Sequence, residues 1–167
     1  NMPMMGPNYY EMNLDKVVGL AYWGMIDYLG ESLGWPKKGW DNGVFDISLE
    51  PKPQAYFLKS IFSDKPVVHI GVADSKEDTE MWNGVKFDGD RISGHWNRTP
   101  GNKYTVYTYT NADEVELYLN GRSLGIKKNS LDPKVRNKIK WPDVVYEKGV
   151  LEAVARTNGK IVAQHKI

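Results

Sequence analysis

The chain has 167 residues, 22 basic against 21 acidic side chains, a net charge of +1 and 41% hydrophobic content, enough to bury a core as one or two domains. The lysines and arginines are scattered among acids except at residues 134–140, which excludes the basic stripe of a nucleic-acid binder. Cysteine is absent, which excludes a disulfide framework, a thiolate metal site and a cysteine nucleophile, and no apolar run approaches the roughly 20 residues of a membrane span.

The opening NMPMMGP lacks the charged start and apolar stretch of a signal peptide and reads as an internal point of a longer protein. Residues 1–18 are weakly helical, with Asn13 as a candidate cap. Residues 19–29, GLAYWGMIDYL, form an almost unbroken apolar run interrupted by Asp27 and bounded by Gly19 and Gly30. Such a run without alternation predicts a strand buried on both faces, as in a parallel sheet covered by helices. Residues 34–46 form a glycine- and tryptophan-rich loop. Pro51 and Pro53 then mark a helix start, and Ala55, Leu58, Ile61 and Phe62 at helical spacing predict a helix over 53–62. Strand, loop and helix make one βα unit, and nothing in the chain supplies its parallel neighbours.

After Pro66 the pattern changes to short strands separated by turns. Residues 67–72 predict the first; residues 74–103 are irregular, with a short strand near 91–96. Residues 105–110 alternate β-branched and aromatic side chains, Asn111 to Asp113 supply a turn, and Val115, Leu117 and Leu119 alternate with Glu116, Tyr118 and Asn120. Asn120-Gly121 falls between two apolar runs, where a two-residue hairpin needs positive φ at both positions. Strands over 123–127, 138–141 and 149–157 follow, and Asn158-Gly159 is a second hairpin turn into 160–167. About seven strands at this spacing predict an immunoglobulin-like β-sandwich over 66–167. Residues 1–65 are then a piece of something else, because a (β/α)8 barrel alone needs about 250 residues.

At GLAYWGMIDYLGES, residues 19–32, the chain resembles the last barrel strand of glycoside hydrolase family 2, in a form similar to bacterial β-galactosidases. The following WPKKGWDNGVFDISLEPKPQAYFLKSIF is similar to that family's loop and last barrel helix. VELYLNGRSLG, Trp141, Tyr146 and GVLEAVARTNGK resemble the sandwich domain after the barrel. The resemblance implies a mainly β chain: an immunoglobulin-like β-sandwich preceded by the last βα unit of a TIM barrel. It also implies a retaining mechanism with two glutamates about 5 Å apart, one in an Asn-Glu pair, and no such pair occurs here. The chain alone is therefore expected to be inactive, without catalytic residue, cofactor or metal, its partners being the rest of the parent barrel and a β-galactoside or related glycan. A non-catalytic carbohydrate-binding sandwich is the alternative. No partner among nucleic acids or membranes is expected. The resemblance leans towards a bacterial periplasmic or extracellular setting, which the absence of cysteine leaves open.

Read from the residues alone, Trp23 is a core tryptophan; the resemblance instead makes it a subsite platform, an indole face against the C–H face of a pyranose. Asp27 and Glu31 could be taken for an acid pair, but a carboxylate in an apolar run must be hydrogen-bonded, so both are expected to order structure. Trp35 and Trp40 either extend the sugar platform or cover the barrel edge. Trp82 and Trp96 read as packing rather than as a glycan surface. His69, His95 and His165 lie on separate strands without the close spacing of a zinc site, each partly buried or on the surface. Asp41-Asn42-Gly43 and Asp88-Gly89-Asp90 read as turns rather than calcium loops, and Tyr146 as a tyrosine corner. A strand cut from its barrel exposes edges and apolar surface, so self-association through it, or poor order over 1–50, is expected.

Overall fold

The computed structural model describes residues 15–16, 18–19, 21, 23–31, 38–77, 80–82, 85–87 and 90–167. The expected cap at Asn13, the helical reading of 1–14, Trp35, the Asp88-Gly89 pair and the side chain of Trp82 lie outside the described residues.

Two four-stranded antiparallel sheets face each other over one core. The first has the order β10-β7-β3-β6, formed by Lys138–Val145, Lys103–Thr110, Val68–Glu77 and Asp90–Ser93. The second has the order β12-β11-β8-β9, formed by Lys160–Lys166, Leu151–Thr157, Glu114–Leu119 and Arg122–Lys128. A small hairpin, β4 (Glu80–Trp82) with β5 (Val85–Phe87), is inserted between β3 and β6. The period-2 alternation places Val68, Ile70, Val72 and Val106 of one sheet against Val115, Leu117, Leu119, Leu151, Ala153 and Ala155 of the other. Burying these side chains, about 1.5–3 kcal/mol for each large one, drives the two layers together.

Both Asn-Gly pairs turn as read, with positive φ at Asn120 (52°), Gly121 (78°), Asn158 (51°) and Gly159 (74°). The turn at 111–113 does different work: β7 and β8 belong to different sheets, so it is the corner where the chain crosses between layers. Strand β10 runs past the expected end at Trp141. A register shift between Trp141 and Val144 absorbs Pro142, which an edge strand tolerates at a bulge.

Strand β7 is buried on both faces. Tyr107 and Tyr109 point away from the sandwich core into a second cluster with Ala73 and Phe57. Phe57 belongs to helix α1, Pro53–Phe62, which lies on the outer face of the first sheet. Gly71 makes room for the Ile92 side chain of β6, which a Cβ there would clash with, and for the helix start, since that Cβ would stand 3.1 Å from Pro53.

The stretch before the helix departs from expectation. The continuous strand over 19–29, buried on both faces, is not found among the described residues. Only β1, Tyr28–Leu29, is extended, paired antiparallel with β2, Gly39–Trp40, and Ile26 makes one parallel bridge to Phe45. Leu29 is 73% exposed, and Ile26, Ile47 and Leu49 are exposed with it. An apolar run becomes a doubly buried strand only where neighbouring strands flank it, and a hairpin partner covers one edge only.

Candidate functional site

The aromatic and charged residues that lie together outside the sandwich are on the segment 23–31 and its partner 38–46. Backbone bonds hold the two side by side. Met25 O accepts from Val44 N–H (2.9 Å) and Phe45 N–H (3.0 Å), Asp27 N–H donates to Phe45 O (3.0 Å), and Gly30 N–H to Lys38 O (3.1 Å). Val44 is the buried apolar residue beneath them.

Asp27 is engaged twice. Its Oδ1 accepts from Gly43 N–H at 2.9 Å, and its Oδ2 pairs with Lys52 Nζ at 2.6 Å. A Cβ at position 43 would stand 2.7 Å from Asp27 N, so glycine is what allows this approach. Lys52 Nζ also donates to Asp41 O at 2.8 Å, and Asp41 Oδ2 lies 3.5 Å from Arg91 Nη2 of β6. The stretch Asp41-Asn42-Gly43, read as a turn from the sequence, is not a turn in the structure; it joins the segment to both the helix start and the first sheet.

Glu31 accepts a hydrogen bond from the Tyr28 hydroxyl. That bond raises the Tyr28 pKa; burial and the carboxylate charge add to the rise, while a hydrogen bond with Trp23 opposes it. The Tyr28 ring stacks on Trp40, centroids 5.6 Å apart and planes 19° apart. Trp40 in turn covers Gly24, where a Cβ would meet the indole at 2.6 Å. Trp23 is 81% exposed, which corrects its reading as a core tryptophan. The result is a stacked Tyr28–Trp40 pair with the exposed Trp23 hydrogen-bonded to Tyr28 and Glu31 hydrogen-bonded to the same hydroxyl. An exposed indole can stack on the apolar face of a ring. Both carboxylates are occupied in holding structure.

Elsewhere, Trp96 is buried, donating Nε1–H to Glu147 O at 3.0 Å and packing on Tyr146 at 5.1 Å. Tyr146 is buried and tied by its backbone to Asn102 O and Gly101 N–H. His69 and His165, 96 positions apart in sequence, are brought together at 3.9 Å between ring centroids, a juxtaposition that strand assignment alone could not show. His95 is separate and contacts Arg98. Among the described residues no group of three or more His, Cys, Asp or Glu is placed to hold a metal. Sequence reasoning also missed Tyr28 and Lys52; the signal for Lys52 was its place between two prolines at the helix start, beside a segment with one unpaired acid.

The described residues thus form a β-sandwich with helix α1 on one outer face and the segments 23–31 and 38–46 joined to the start of that helix. A family model described as a domain of unknown function (DUF4982) matches residues 101–163, from just before β7 into β12. A β-galactosidase of Bacteroides ovatus is 33% identical over 156 residues, covering 92% of this chain and 15% of the relative. A β-glucuronidase of Formosa agariphila is 29% identical over 112 residues, covering 67% of this chain and 9% of the relative. The crystal structure of a glycosyl hydrolase family 2 member from Bacteroides cellulosilyticus superposes with a TM-score of 0.74 at 32% identity, covering 87% of this chain and 20% of that one. Over most of its length the chain is similar to a segment of glycoside hydrolase family 2 members. It spans 15% of the first of these relatives and so corresponds to a small segment of such proteins.

Proposed function

We propose that the protein to which this chain belongs is a retaining glycoside hydrolase, β-galactosidase-like, and that this segment shapes a sugar subsite rather than performing the chemistry. The observation that carries the reading is the exposed Trp23 beside Tyr28 and Trp40, on a segment that resembles the family's last barrel strand. Retaining hydrolysis needs two carboxyls about 5–5.5 Å apart, one as nucleophile and one as acid and base. Here the Asp27 carboxylate is neutralised by Lys52 and that of Glu31 is hydrogen-bonded by Tyr28, so the catalytic pair belongs to other parts of the protein. Leu29, Ile47 and Leu49 are exposed apolar side chains of the kind the rest of the barrel would cover; in its absence a second copy would serve.

The test is hydrolysis of chromogenic β-galactoside and β-glucuronide by this chain and by the full product of its gene. Activity in the full product alone is expected, with the β-galactoside preferred. Activity in the isolated chain would overturn the structural assignment of Asp27 and Glu31, and a preference for the glucuronide would change the substrate class.

A further inference from the structure

Helix α1 is fastened at both ends, to a different part of the molecule at each. At its amino end, the Lys52 amide donates to Val44 O (2.8 Å) and its ammonium group pairs with Asp27. At its carboxyl end, carbonyls of the last turn, which a helix leaves without intrahelical partners, and of the cap and the residues just after it meet side chains from the sandwich. Asn137 Nδ2–H donates to Ser60 O at 2.9 Å, and Asn111 Nδ2–H donates to Ser63 O at 3.0 Å and Lys65 O at 2.9 Å.

Asn137 is 5% exposed and sits at φ 63°. Asn129 holds it in place: Asn129 Oδ1 accepts from Asn137 N–H at 2.9 Å, and Asn129 Nδ2–H donates to Asn137 Oδ1 at 3.0 Å. Asn129 also bonds Thr110 O and Ala112 O, at the corner where the chain crosses between the sheets. The amide that grips the helix is therefore oriented by the corner of the sandwich. Ser60 is itself buried, so water cannot replace the bond cheaply.

Resting on the function proposed above, we propose that Asn137 is a positioning residue for the glycosidase site. By clamping the last turn of α1 to the sandwich, it sets the helix start, and through Lys52–Asp27 the segment that bears Trp23. The helix is a stiff element of about 15 Å, and a stiff element with two fixed ends transmits a displacement from one to the other.

Asn137→Gly in the full gene product is the sharpest variant, because glycine accepts positive φ without strain and only the amide is lost. Asn137→Asp keeps the acceptor for Asn129 and sets an oxygen against Ser60 O. Both are expected to raise KM for the chromogenic glycoside about fivefold or more with kcat within about twofold, while the protein still melts above the assay temperature. Hydrogen exchange at the amides of Asp27, Val44 and Phe45 should accelerate with it. Folded variants with wild-type KM and exchange would overturn the proposal, as would a fall in kcat alone. In the wild-type protein the same three amides should open together with those of α1; independent opening overturns it whichever variants fold. A wild-type full product without hydrolase activity would sink the functional reading and the positioning role with it; the exchange data would still report whether the helix couples its two ends.

Discussion

Tyr56 of helix α1 lies flat on His69 of β3, with ring centroids 3.6 Å apart and planes 3° apart. On its other side His69 meets His165 of β12 at 3.9 Å, and His165 Nδ1 accepts the Ile70 amide at 3.2 Å. One stack thus touches the helix and both sheets. An acceptor Nδ1 places the His165 proton on Nε2, the neutral tautomer.

The stack should weaken in acid. Burial lowers the His69 pKa to about 3, helped by the charge His165 would carry, and burial lowers that of His165 too. The unfolded chain titrates near 6.5, so between about 6.5 and 3 it binds more protons than the folded state and stability falls as pH falls. Around the stack lie Tyr109, paired with His69 on β7, and Lys59, 5.8 Å from the Tyr56 ring; among the described residues burial and the His pair, not a carboxylate, govern the two imidazoles. Denaturation midpoints of the wild type should drop through this window. His69→Gln should flatten the dependence, and an equal slope in that variant would contradict the assignment.

Trp23 and Trp141 should respond oppositely to truncation. Trp141 is buried and donates Nε1–H to Thr108 Oγ at 3.0 Å, so Trp141→Ala should cost about 3–5 kcal/mol in denaturant unfolding. Trp23 is exposed, and Trp23→Ala should stay within about 0.5 kcal/mol while weakening glycoside binding in the full product. A stability loss at Trp23 comparable to that at Trp141 would return it to the core.

The Asp27 carboxylate supports two bonds that different substitutions separate. Asp27→Asn keeps an acceptor for Gly43 N–H and loses the charge pair with Lys52, for about 1 kcal/mol or less. Asp27→Ala leaves the buried Gly43 N–H unmet and Lys52 with Asp41 O alone, and should cost about 1–3 kcal/mol more. Exchange at the Gly43 amide would report the difference directly, and equal protection in the two variants would show that the bond is unimportant.

Two glycines with positive φ should differ in tolerance. Gly149, at φ 141°, packs against the Asn120 side chain, whose Oδ1 accepts from Val150 N–H (2.8 Å) and whose Nδ2–H donates to Lys148 O (3.1 Å). Gly159, at φ 74°, faces open space. Gly159→Ala should cost about 1 kcal/mol from backbone strain alone, and Gly149→Ala more, because the asparagine lock is displaced as well. Thermal unfolding of the pair would decide, equal losses counting against the lock.

Local pattern was sufficient wherever a residue's role depends on its near neighbours. Helix α1 begins and ends where Pro53 and the spacing of Leu58, Ile61 and Phe62 place it. The two Asn-Gly turns and the buried face of Val115, Leu117 and Leu119 follow from periods of two and from backbone sterics. Tertiary structure alone decided three things. The 111–113 turn is a corner between layers, because register partners in other strands claim β7 and β8 separately. The described residues among 19–29 do not form a doubly buried strand, because burial needs flanking strands that apolarity cannot supply. His69 meets His165, and Asn137 meets Ser60, because contacts across 96 and 77 positions are set by how the sheets and helix stack, and no period along the chain encodes them.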